Sequence, residues 1–425
     1  MANPFVTSMK IFVLTVTVLL SAGYTLSLVT NGPGAPSEAR GRLLADVGEE
    51  IQVVVCSATS ARTSSLRNSE LVSNIVNGLP DNVKVLLLVN DRKAFRTPAG
   101  NRRVTFIELP SDCGISIWPQ DPFVVVEDGQ KIRLVTPCRF DREDDRLMPI
   151  ELGKALEIEV VRSELYFEGG NIVCGTEAVF TGIDTITLNA EFLRETASQV
   201  HSRLEETFGR PLVVVGKGKQ AIGHLDLVVT PLGGKRVAVA DSRWGANLAQ
   251  QAITVAPTAV RAFESACEEM FFGHPDIDQL TDRNGHRIDR PKTVGHTETA
   301  IKASLEVADE LDMIAGQISQ AGYEVFRIPS LVPDLTPRLN SSGKEMVHYP
   351  FLSYSNVLLE TRNGRQTVYL PQYGLAPLDD AAAQRWRELG FDVNEIPGFA
   401  TSSMYGGALR CSTKVLIRGT PALAE

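Results

Sequence analysis

From Val47 onward the chain alternates short apolar runs with stretches in which apolar residues recur every three or four positions. Short runs rich in Val, Ile and Leu predict β-strands, whereas the longer period predicts amphipathic helices. The predicted strands are Ile51–Val55, Val83–Val89, Val104–Leu109, Phe123–Val126, Ile132–Val135, Leu212–Val215, Leu225–Val229, Val237–Ala240, Tyr323–Ile328, Val357–Leu359, Thr367–Leu370 and Val415–Ile417. The predicted helices are Ser65–Asn77, Ala190–Phe208, Thr258–Met270, Thr297–Ala321 and Asp379–Leu389. Strands interleaved with helices in this way predict an α/β domain over residues 47–425.

One octet of this pattern occurs twice. Gly322-Tyr-Glu-Val-Phe-Arg-Ile-Pro329 matches Gly390-Phe-Asp-Val-Asn-Glu-Ile-Pro397 in register, and each follows an acidic amphipathic helix. The glycine is typical of a helix C-cap, and the octet predicts a strand that ends at proline. A repeated unit of this kind favours several copies around an axis, as in an α/β propeller. A doubly wound sheet is the alternative, although no G-x-G-x-x-G follows the first strand and no Walker loop is present.

The N-terminal segment differs from the rest of the chain. Lys10 precedes an uncharged run from Ile11 to Thr30 that contains the small residues Ser21-Ala-Gly23. A basic residue, an apolar stretch and small residues are typical of a secretory signal peptide, so residues 1–30 predict export. The alternative is a membrane anchor formed by residues 11–30. A flexible linker rich in Gly and Pro is predicted to follow over residues 31–46.

Composition excludes some classes of function. The chain has 425 residues and a formal net charge of −9, and this acidic balance argues against nucleic-acid binding. Its six cysteines show no C-x-x-C pair and no zinc-like spacing. The stretch 271–297, rich in Asp and His, is predicted to be an exposed loop insertion; its Asp282-Arg-Asn-Gly285 only weakly matches a calcium loop. We therefore expect no metal and no organic cofactor.

Four short segments carry side chains suited to a guanidinium group: Trp118-Pro-Gln-Asp121, Phe167-Glu-Gly-Gly-Asn171, Gly223-His-Leu-Asp226 and Gly406-Gly-Ala-Leu-Arg-Cys411. A planar cation binds carboxylates at its edges through paired hydrogen bonds. Its electrophilic carbon is open to a thiolate, and a histidine can move the protons that the reaction requires. The set therefore predicts a thiol enzyme that binds and cleaves a guanidino group.

Each segment taken alone also has an ordinary structural interpretation. Cys411 could be a small buried residue, and His224 could be a hydrogen-bonded core histidine. If Leu225–Val229 is a strand, however, His224 and Asp226 lie on the same face. A nucleophilic thiol needs a lowered pKa, and Arg410 and Lys414 are near enough to Cys411 in sequence to supply positive charge.

Together the motifs Trp-x-Gln-Asp, Phe-Glu-Gly-Gly-Asn, Gly-His-x-Asp and Gly-Gly-x-x-x-Cys-x-Thr resemble the guanidino-modifying superfamily, the penteins. The resemblance spans about Val104 to Arg418 and implies a five-bladed α/β propeller of ββαβ-type units. It implies catalytic roles for guanidinium-binding Asp121 and Asp226, for the glutamate Glu168, for the general acid and base His224 and for the nucleophile Cys411. Further substrate contacts are expected from Trp118, Asn171 and Arg410.

The motifs combine features of peptidylarginine deiminases and arginine deiminases. The resemblance implies that arginine, preferably within a protein, is converted to citrulline and ammonia through a covalent thiouronium on Cys411. The alternatives are a deiminase of free arginine or agmatine, an amidinotransferase, and a non-catalytic binding protein on the same scaffold. The calcium-dependent N-terminal modules of vertebrate peptidylarginine deiminases have no room in this chain, and the sequence defines no oligomeric state.

Overall fold

The computed structural model describes residues 41–59, 68–92, 95, 103–129, 131–142, 145–272, 296–339 and 345–419. The chain divides into two units, residues 1–38 and 39–425, and the described residues all belong to the second. The predicted signal segment at 1–30 and nearly all of the insertion at 271–297 lie outside the described residues. Within the predicted linker, Arg42–Leu43 forms a short strand that pairs with Val126 and Glu127.

The strands and helices are numbered in chain order. The described strands are β1 (Arg42–Leu43), β2 (Ile51–Ala58), β3 (Lys84–Val89), β4 (Val104–Glu108), β5 (Val124–Asp128), β6 (Lys131–Thr136), β7 (Glu159–Arg162), β8 (Val173–Cys174), β9 (Val179–Gly182), β10 (Leu212–Val215), β11 (Val229–Gly233), β12 (Arg236–Asp241), β13 (Glu324–Leu331), β14 (Arg338–Leu339), β15 (Glu345–Met346), β16 (Leu352–Ser353), β17 (Leu358–Arg362), β18 (Arg365–Pro371), β19 (Asp392–Ile396) and β20 (Lys414–Arg418). The described α-helices are α1 (Ser69–Gly78), α2 (Met148–Leu156), α3 (Ile183–Leu193), α4 (Ala197–Phe208), α5 (Ser242–Val255), α6 (Pro257–Phe272), α7 (His296–Glu306), α8 (Ala308–Gln320), α9 (Ala376–Glu388) and α10 (Ala400–Met404). None of these helices is both long and apolar enough to cross a membrane.

Five of the sheets in the described part of the chain share one plan. Two strands pair antiparallel, one or more helices follow, and the next strand returns parallel to the second. This plan is seen in β5-β6-α2-β7, in β8-β9-α3-α4-β10, in β11-β12-α5-α6-α7-α8-β13, in β17-β18-α9-β19 and in β20-β2-α1-β3. Parallel neighbours need a crossover, and the helices supply it. The two predicted octets become β13 and β19, which both occupy the returning position of this unit.

Two predicted helices are each divided in the structure. The segment predicted as Ala190–Phe208 is interrupted at Arg194, whose φ of 56° is left-handed, and α4 starts with a capping box between Thr196 and Gln199. A reciprocal cap of this kind satisfies the first backbone N–H groups of a new helix, so it favours a break at this point. The segment predicted as Thr297–Ala321 is likewise divided, because α7 ends at Glu306 and α8 begins at Ala308.

A buried carboxylate fixes the segment that leads from β16 toward the site. Asp379 accepts hydrogen bonds from the Tyr354 hydroxyl at 2.8 Å, from the Tyr373 backbone N at 3.1 Å and from the Gly374 backbone N at 2.8 Å. The Tyr373 hydroxyl in turn donates to the carbonyl oxygen of Ser353 at 2.8 Å. Buried polar groups that are fully paired specify one packing arrangement. These bonds therefore hold the chain just before Asn356 in place.

Candidate active site

The structure brings Glu168 and His224 together at the starts of two 3-10 turns. Glu168 precedes the turn Gly169–Asn171, and His224 precedes the turn Leu225–Leu227. The prediction of a strand over Leu225–Val229 was wrong for all but its last residue, because β11 begins at Val229. In a 3-10 turn each hydrogen bond joins an N–H to the carbonyl oxygen three residues earlier. Here Leu227 N–H donates to His224 O, and Val228 N–H donates to Leu225 O.

His224 lies between two carboxylates. Its Nε2 is 2.6 Å from Glu168 Oε2, and its Nδ1 is 3.6 Å from Asp121 Oδ1. Burial alone would lower the pKa of His224, but the charge of Asp121 and the hydrogen bond with Glu168 outweigh it and raise the pKa to about 9. Burial likewise opposes ionisation of Glu168, yet the hydrogen bond and charge of His224 leave the pKa of Glu168 below its usual value. The pair therefore favours an imidazolium beside a carboxylate at neutral pH.

Asp226 is completely buried and touches both a cation and the thiol. Its Oδ2 accepts a hydrogen bond from Arg410 Nη1 at 2.7 Å, and the Sγ of Cys411 lies 3.5 Å from the same oxygen. Burial raises the pKa of Asp226 above its usual value, and the charge of Arg410 offsets only part of this effect. The carboxylate predicted to bind a guanidinium is thus in direct contact with the predicted nucleophile.

The side-chain amide of Asn356 contacts both the sulfur and the backbone N–H of Cys411. Asn356 Nδ2 lies 3.2 Å from Cys411 Sγ, and Asn356 Oδ1 accepts from the Cys411 backbone N at 3.1 Å. Burial, with the negative charges of Asp226 and Asp121, raises the pKa of Cys411 well above its ordinary value. The expectation that nearby cations lower the pKa of this thiol was therefore wrong for the protein without substrate. Asn356 was not predicted as a site residue; it lies directly before the apolar run Val357–Leu359.

Arg410 is buried and hydrogen-bonded to two carboxylates and a carbonyl oxygen. Its Nε and Nη2 donate to the two carboxylate oxygens of Asp46 at 3.1 and 2.9 Å, and Nη1 donates to Asp226. Nη2 also donates to the carbonyl oxygen of Ile172 at 2.9 Å. These bonds use the guanidinium as a bridge between Asp46 and Asp226. Asp46 lies in the predicted linker, and no sequence motif marked it.

A second arginine, absent from the sequence predictions, contacts the other predicted substrate carboxylate. Arg142 Nη2 lies 3.0 Å from Asp121 Oδ2 and 3.1 Å from Asp145 Oδ2. Asp145 is buried, has a left-handed φ of 72°, and accepts from the Ser116 backbone N at 2.6 Å. The other oxygen of Asp121, Oδ1, is buried and has no hydrogen-bond partner among the described residues. One edge of Asp121 is thus occupied by Arg142, and the other faces His224.

The second glycine of the Glu-Gly-Gly motif leaves room for the histidine. A Cβ added at Gly170 would lie 2.3 Å from His224 Nδ1 and 3.0 Å from Asp121 Oδ1. Such distances are well inside van der Waals contact, so only glycine fits here without moving the imidazole. Asn171, predicted as a substrate contact, accepts a hydrogen bond from the Leu225 backbone N at 3.0 Å. In this position it joins the turn after Glu168 to the turn after His224.

Trp118 and Cys411 both pack closely against Gly407. A Cβ added at Gly407 would lie 2.6 Å from the Trp118 ring and 2.8 Å from the Cβ of Cys411. The absence of a side chain at Gly407 therefore brings the indole, the backbone and the cysteine into close contact. An aromatic face in this place can line a pocket for a flat cation.

Lys414 fixes the segment before Asp121. Its Nζ donates to the carbonyl oxygen of Gln120 at 3.1 Å and lies 5.0 Å from the centre of the Phe123 ring. Burial, together with the charge of Arg410, lowers the pKa of Lys414 to about 7. In the described part of the chain, no group of three or more His, Cys, Asp or Glu side chains is arranged to hold a metal ion.

The architecture is that of known guanidine-modifying enzymes. A substrate-bound agmatine deiminase from C. jejuni aligns with a TM-score of 0.56 at 13% identity, covering 89% of this chain and 96% of that chain. The agmatine deiminase of Enterococcus faecalis aligns with a TM-score of 0.54 at 14% identity, covering 89% and 96%. A candidate peptidyl-arginine deiminase aligns with a TM-score of 0.58 at 14% identity, covering 89% and 99%.

These structural neighbours are members of the pentein superfamily, so the resemblance predicted from the four motifs is confirmed at the level of the fold. The chain has a mixed α/β fold like theirs. No family model and no curated protein sequence matches the chain.

Proposed function

We propose that the protein hydrolyses a guanidino group by thiol catalysis, releasing ammonia and a ureido product. One observation carries this proposal: two carboxylates, an imidazole and a thiol share one buried cluster. Cys411 Sγ is 3.5 Å from Asp226 Oδ2, and His224 Nδ1 is 3.6 Å from Asp121 Oδ1. The fold shared with agmatine deiminases supports the same class of chemistry. No metal or organic cofactor takes part in the proposed reaction.

The substrate guanidinium is proposed to bind between Asp121 and Asp226. The unpartnered Oδ1 of Asp121 is one acceptor for its N–H groups. Asp226 supplies a second carboxylate next to the sulfur. Two carboxylates at the edges of a planar cation fix its orientation, which contributes a large part of the rate when the reacting atoms are already aligned.

Binding of the cation also activates the thiol in this proposal. Negative charge from Asp226 and Asp121 raises the pKa of Cys411 in the free protein, and a bound guanidinium offsets that charge. Asp226 is positioned to accept the thiol proton. The thiolate then forms a C–S bond with the guanidinium carbon, and the π electrons of the C=N bond move to nitrogen.

His224 completes both halves of the reaction. Its imidazolium donates a proton to a terminal nitrogen, the C–N bond breaks, and ammonia leaves a covalent thiouronium on Cys411. The neutral imidazole then takes a proton from water, and the resulting hydroxide adds to the carbon. The C–S bond breaks, the proton of the added hydroxyl passes to the sulfur, and the thiol and the neutral ureido product form, while the proton held by Asp226 is released with the ammonia as ammonium. Glu168, at 2.6 Å, orients the ring and stabilises its charged form.

Arginine within a polypeptide is the proposed substrate, with citrulline as its product. The Trp118-x-Gln-Asp121 motif and the predicted export of the chain support this choice. We further propose that the five ββαβ-type units form the five-bladed propeller that the resemblance implies. Asp121, Glu168, His224 and Cys411 would then come together from different units.

The test is an assay of ammonia release by the purified protein. An arginine-containing peptide, free arginine and agmatine are compared as substrates, and citrulline or another ureido product is identified by mass. We expect release from the peptide and none from the Cys411→Ala variant. Full activity of that variant would exclude covalent catalysis by Cys411. Transfer of the amidino group to added glycine or ornithine, without ammonia release, would identify an amidinotransferase instead.

A further inference from the structure

A cavity of about 520 Å³ opens beside the imidazole of His224. One wall is the loop 219–224, which leads directly into the histidine. Residues 403–406 also line the cavity, and they lead directly into Gly407 and from there to Cys411. The cavity is therefore bounded by the chain neighbours of both the proposed acid–base group and the proposed nucleophile.

This cavity is on the accessible side of the catalytic cluster. Asp121, Asp226 and Cys411 are each buried, whereas 21% of the His224 side chain is exposed. If the two aspartates hold the guanidinium, the rest of the substrate molecule, its carrier, must extend from it toward solvent. Since the walls beside His224 enclose open space of this size, the carrier is expected to pass along them. A volume in this range suits an organic group larger than a guanidinium alone.

The walls of the cavity are mainly apolar. The side chains of Ile222, Leu227, Leu335, Met346, Val347 and Phe351 line it. Its charged lining residues besides His224 are Lys219 and Glu345, and both are exposed. An apolar group that enters such a space loses contact with water, which favours binding in proportion to the buried area.

We propose that this cavity is a subsite for an apolar side chain that neighbours the target arginine in a peptide. The inference rests on the proposed function, because it assigns the part of the substrate beyond the guanidinium. An aliphatic or aromatic side chain would fill the space and contact Phe351 and Leu335. Free arginine and agmatine carry no such group and would leave this space to water.

The test compares kcat/KM for blocked tripeptides that differ only at the positions next to arginine. Leucine or phenylalanine on the favoured side is expected to raise kcat/KM roughly ten- to a hundredfold over glycine. Leu335→Glu places a charge in the wall and is expected to remove most of this difference. Leu188→Glu is the matched control, since Leu188 is 48% exposed on α3 and does not line the cavity. It should keep the full preference.

A second variant protects the test against misfolding of Leu335→Glu. Ala221 is exposed at the cavity wall, so Ala221→Trp can occupy the space without disturbing the core. It should lower kcat/KM for the leucine peptide by a larger factor than kcat/KM for the glycine peptide, because only the leucine side chain would occupy the filled space. Equal turnover of leucine and glycine peptides would overturn the subsite and leave the deiminase function intact. Failure to turn over any guanidino compound would overturn the function and the subsite with it.

Discussion

Glu168 and His224 occupy the same position in two contacting 3-10 turns, and their side chains meet at 2.6 Å. Their backbones are almost identical, with φ and ψ of −115° and 138° for Glu168 and −118° and 139° for His224. Both side chains are therefore directed by the residue that begins a 3-10 turn. Asn171, the last residue of the first turn, bonds the backbone of the second at Leu225 and fixes their relative position.

The thiol is expected to be unreactive until a cation is present. Because burial and the nearby carboxylates raise the pKa of Cys411, a neutral haloacetamide should label it slowly at neutral pH. A haloacetamidine of the same size carries positive charge and should label it at least roughly tenfold faster, which corresponds to a shift of about one pKa unit. Mass spectrometry measures both rates. Half-buried Cys138 is the internal control and should show no such preference, and equal rates at Cys411 would contradict the charge argument.

A methyl group at Gly170 should displace the histidine. A Cβ there would lie 2.3 Å from His224 Nδ1, so Gly170→Ala is expected to lower kcat by about a hundredfold, as small misplacements of catalytic groups do. Gly316→Ala is the matched control, because a Cβ at Gly316 in α8 meets nothing within 4 Å. That change should keep activity and stabilise the helix by about 0.5–1 kcal/mol. An unchanged kcat for Gly170→Ala would show that catalysis does not depend on the present position of the His224 imidazole.

Arg142 should act through Asp121. Its guanidinium holds Asp121 Oδ2 at 3.0 Å, so Arg142→Met frees that carboxylate to turn and is expected to raise KM for a guanidino substrate about tenfold. Steady-state kinetics measure the change. Arg139→Met is the control in the same segment, since Arg139 is largely exposed and pairs with Asp141. A lower KM for Arg142→Met would mean instead that Arg142 competes with the substrate for Asp121.

Arg410 should be a major stabilising residue. It bridges Asp46 and Asp226 inside the protein, and loss of one partner of a buried ion pair costs about 3–5 kcal/mol because the other charge stays buried. Arg410→Met is therefore expected to lower the free energy of unfolding in urea by that amount. Arg243 bridges Asp309 and Asp312 at the surface, so Arg243→Met should lower the free energy of unfolding much less than Arg410→Met. Similar losses for the two variants would contradict a special role for Arg410.

Stability should depend on the charge of His224. Its pKa in the folded protein, about 9, is above the 6.5 of the free side chain, so its stabilisation is complete below pH 6.5 and is lost as the pH rises through 9. The loss is on the order of 3 kcal/mol for this shift. The difference in unfolding free energy between the wild type and His224→Gln should shrink by this amount between about pH 6 and about pH 10. The rate of the first chemical step should fall over the same range, because the imidazolium is the proposed acid.

The sequence was most informative where the proposed catalytic residues lie within short motifs. Asp121, Glu168, His224 and Cys411 each stand in a motif with glycine or proline, and the structure places them in one cluster. Asp46, Arg142 and Asn356 were not predicted, because their importance comes only from contacts with distant residues. Asp46 and Arg410, for example, are 364 positions apart. No local pattern records such a pairing.

Predictions from local periodicity were also wrong where a strand and a turn give similar spacing of apolar residues. The alternation around His224 and Asp226 suits a strand, but Leu227 N–H donates to His224 O and Val228 N–H donates to Leu225 O, which is the pattern of a 3-10 turn. The helix α5 was missed because Gly245 and several alanines interrupt its apolar stripe. Gly245 is needed there, since a Cβ would lie 2.0 Å from the carbonyl oxygen of Ser330 in β13. Close packing between a helix and a strand, rather than helix propensity, determines that segment.

The pairing of β20 with β2 has a consequence for the order in which the site is completed during synthesis on the ribosome. Cys411 lies just before β20, the last strand described, and β20 pairs with a strand from the beginning of the domain. A nascent chain can acquire Asp121, Glu168 and His224 long before it acquires the sulfur. The proposed nucleophile thus joins these partners only once β20 has been synthesised and can pair with β2.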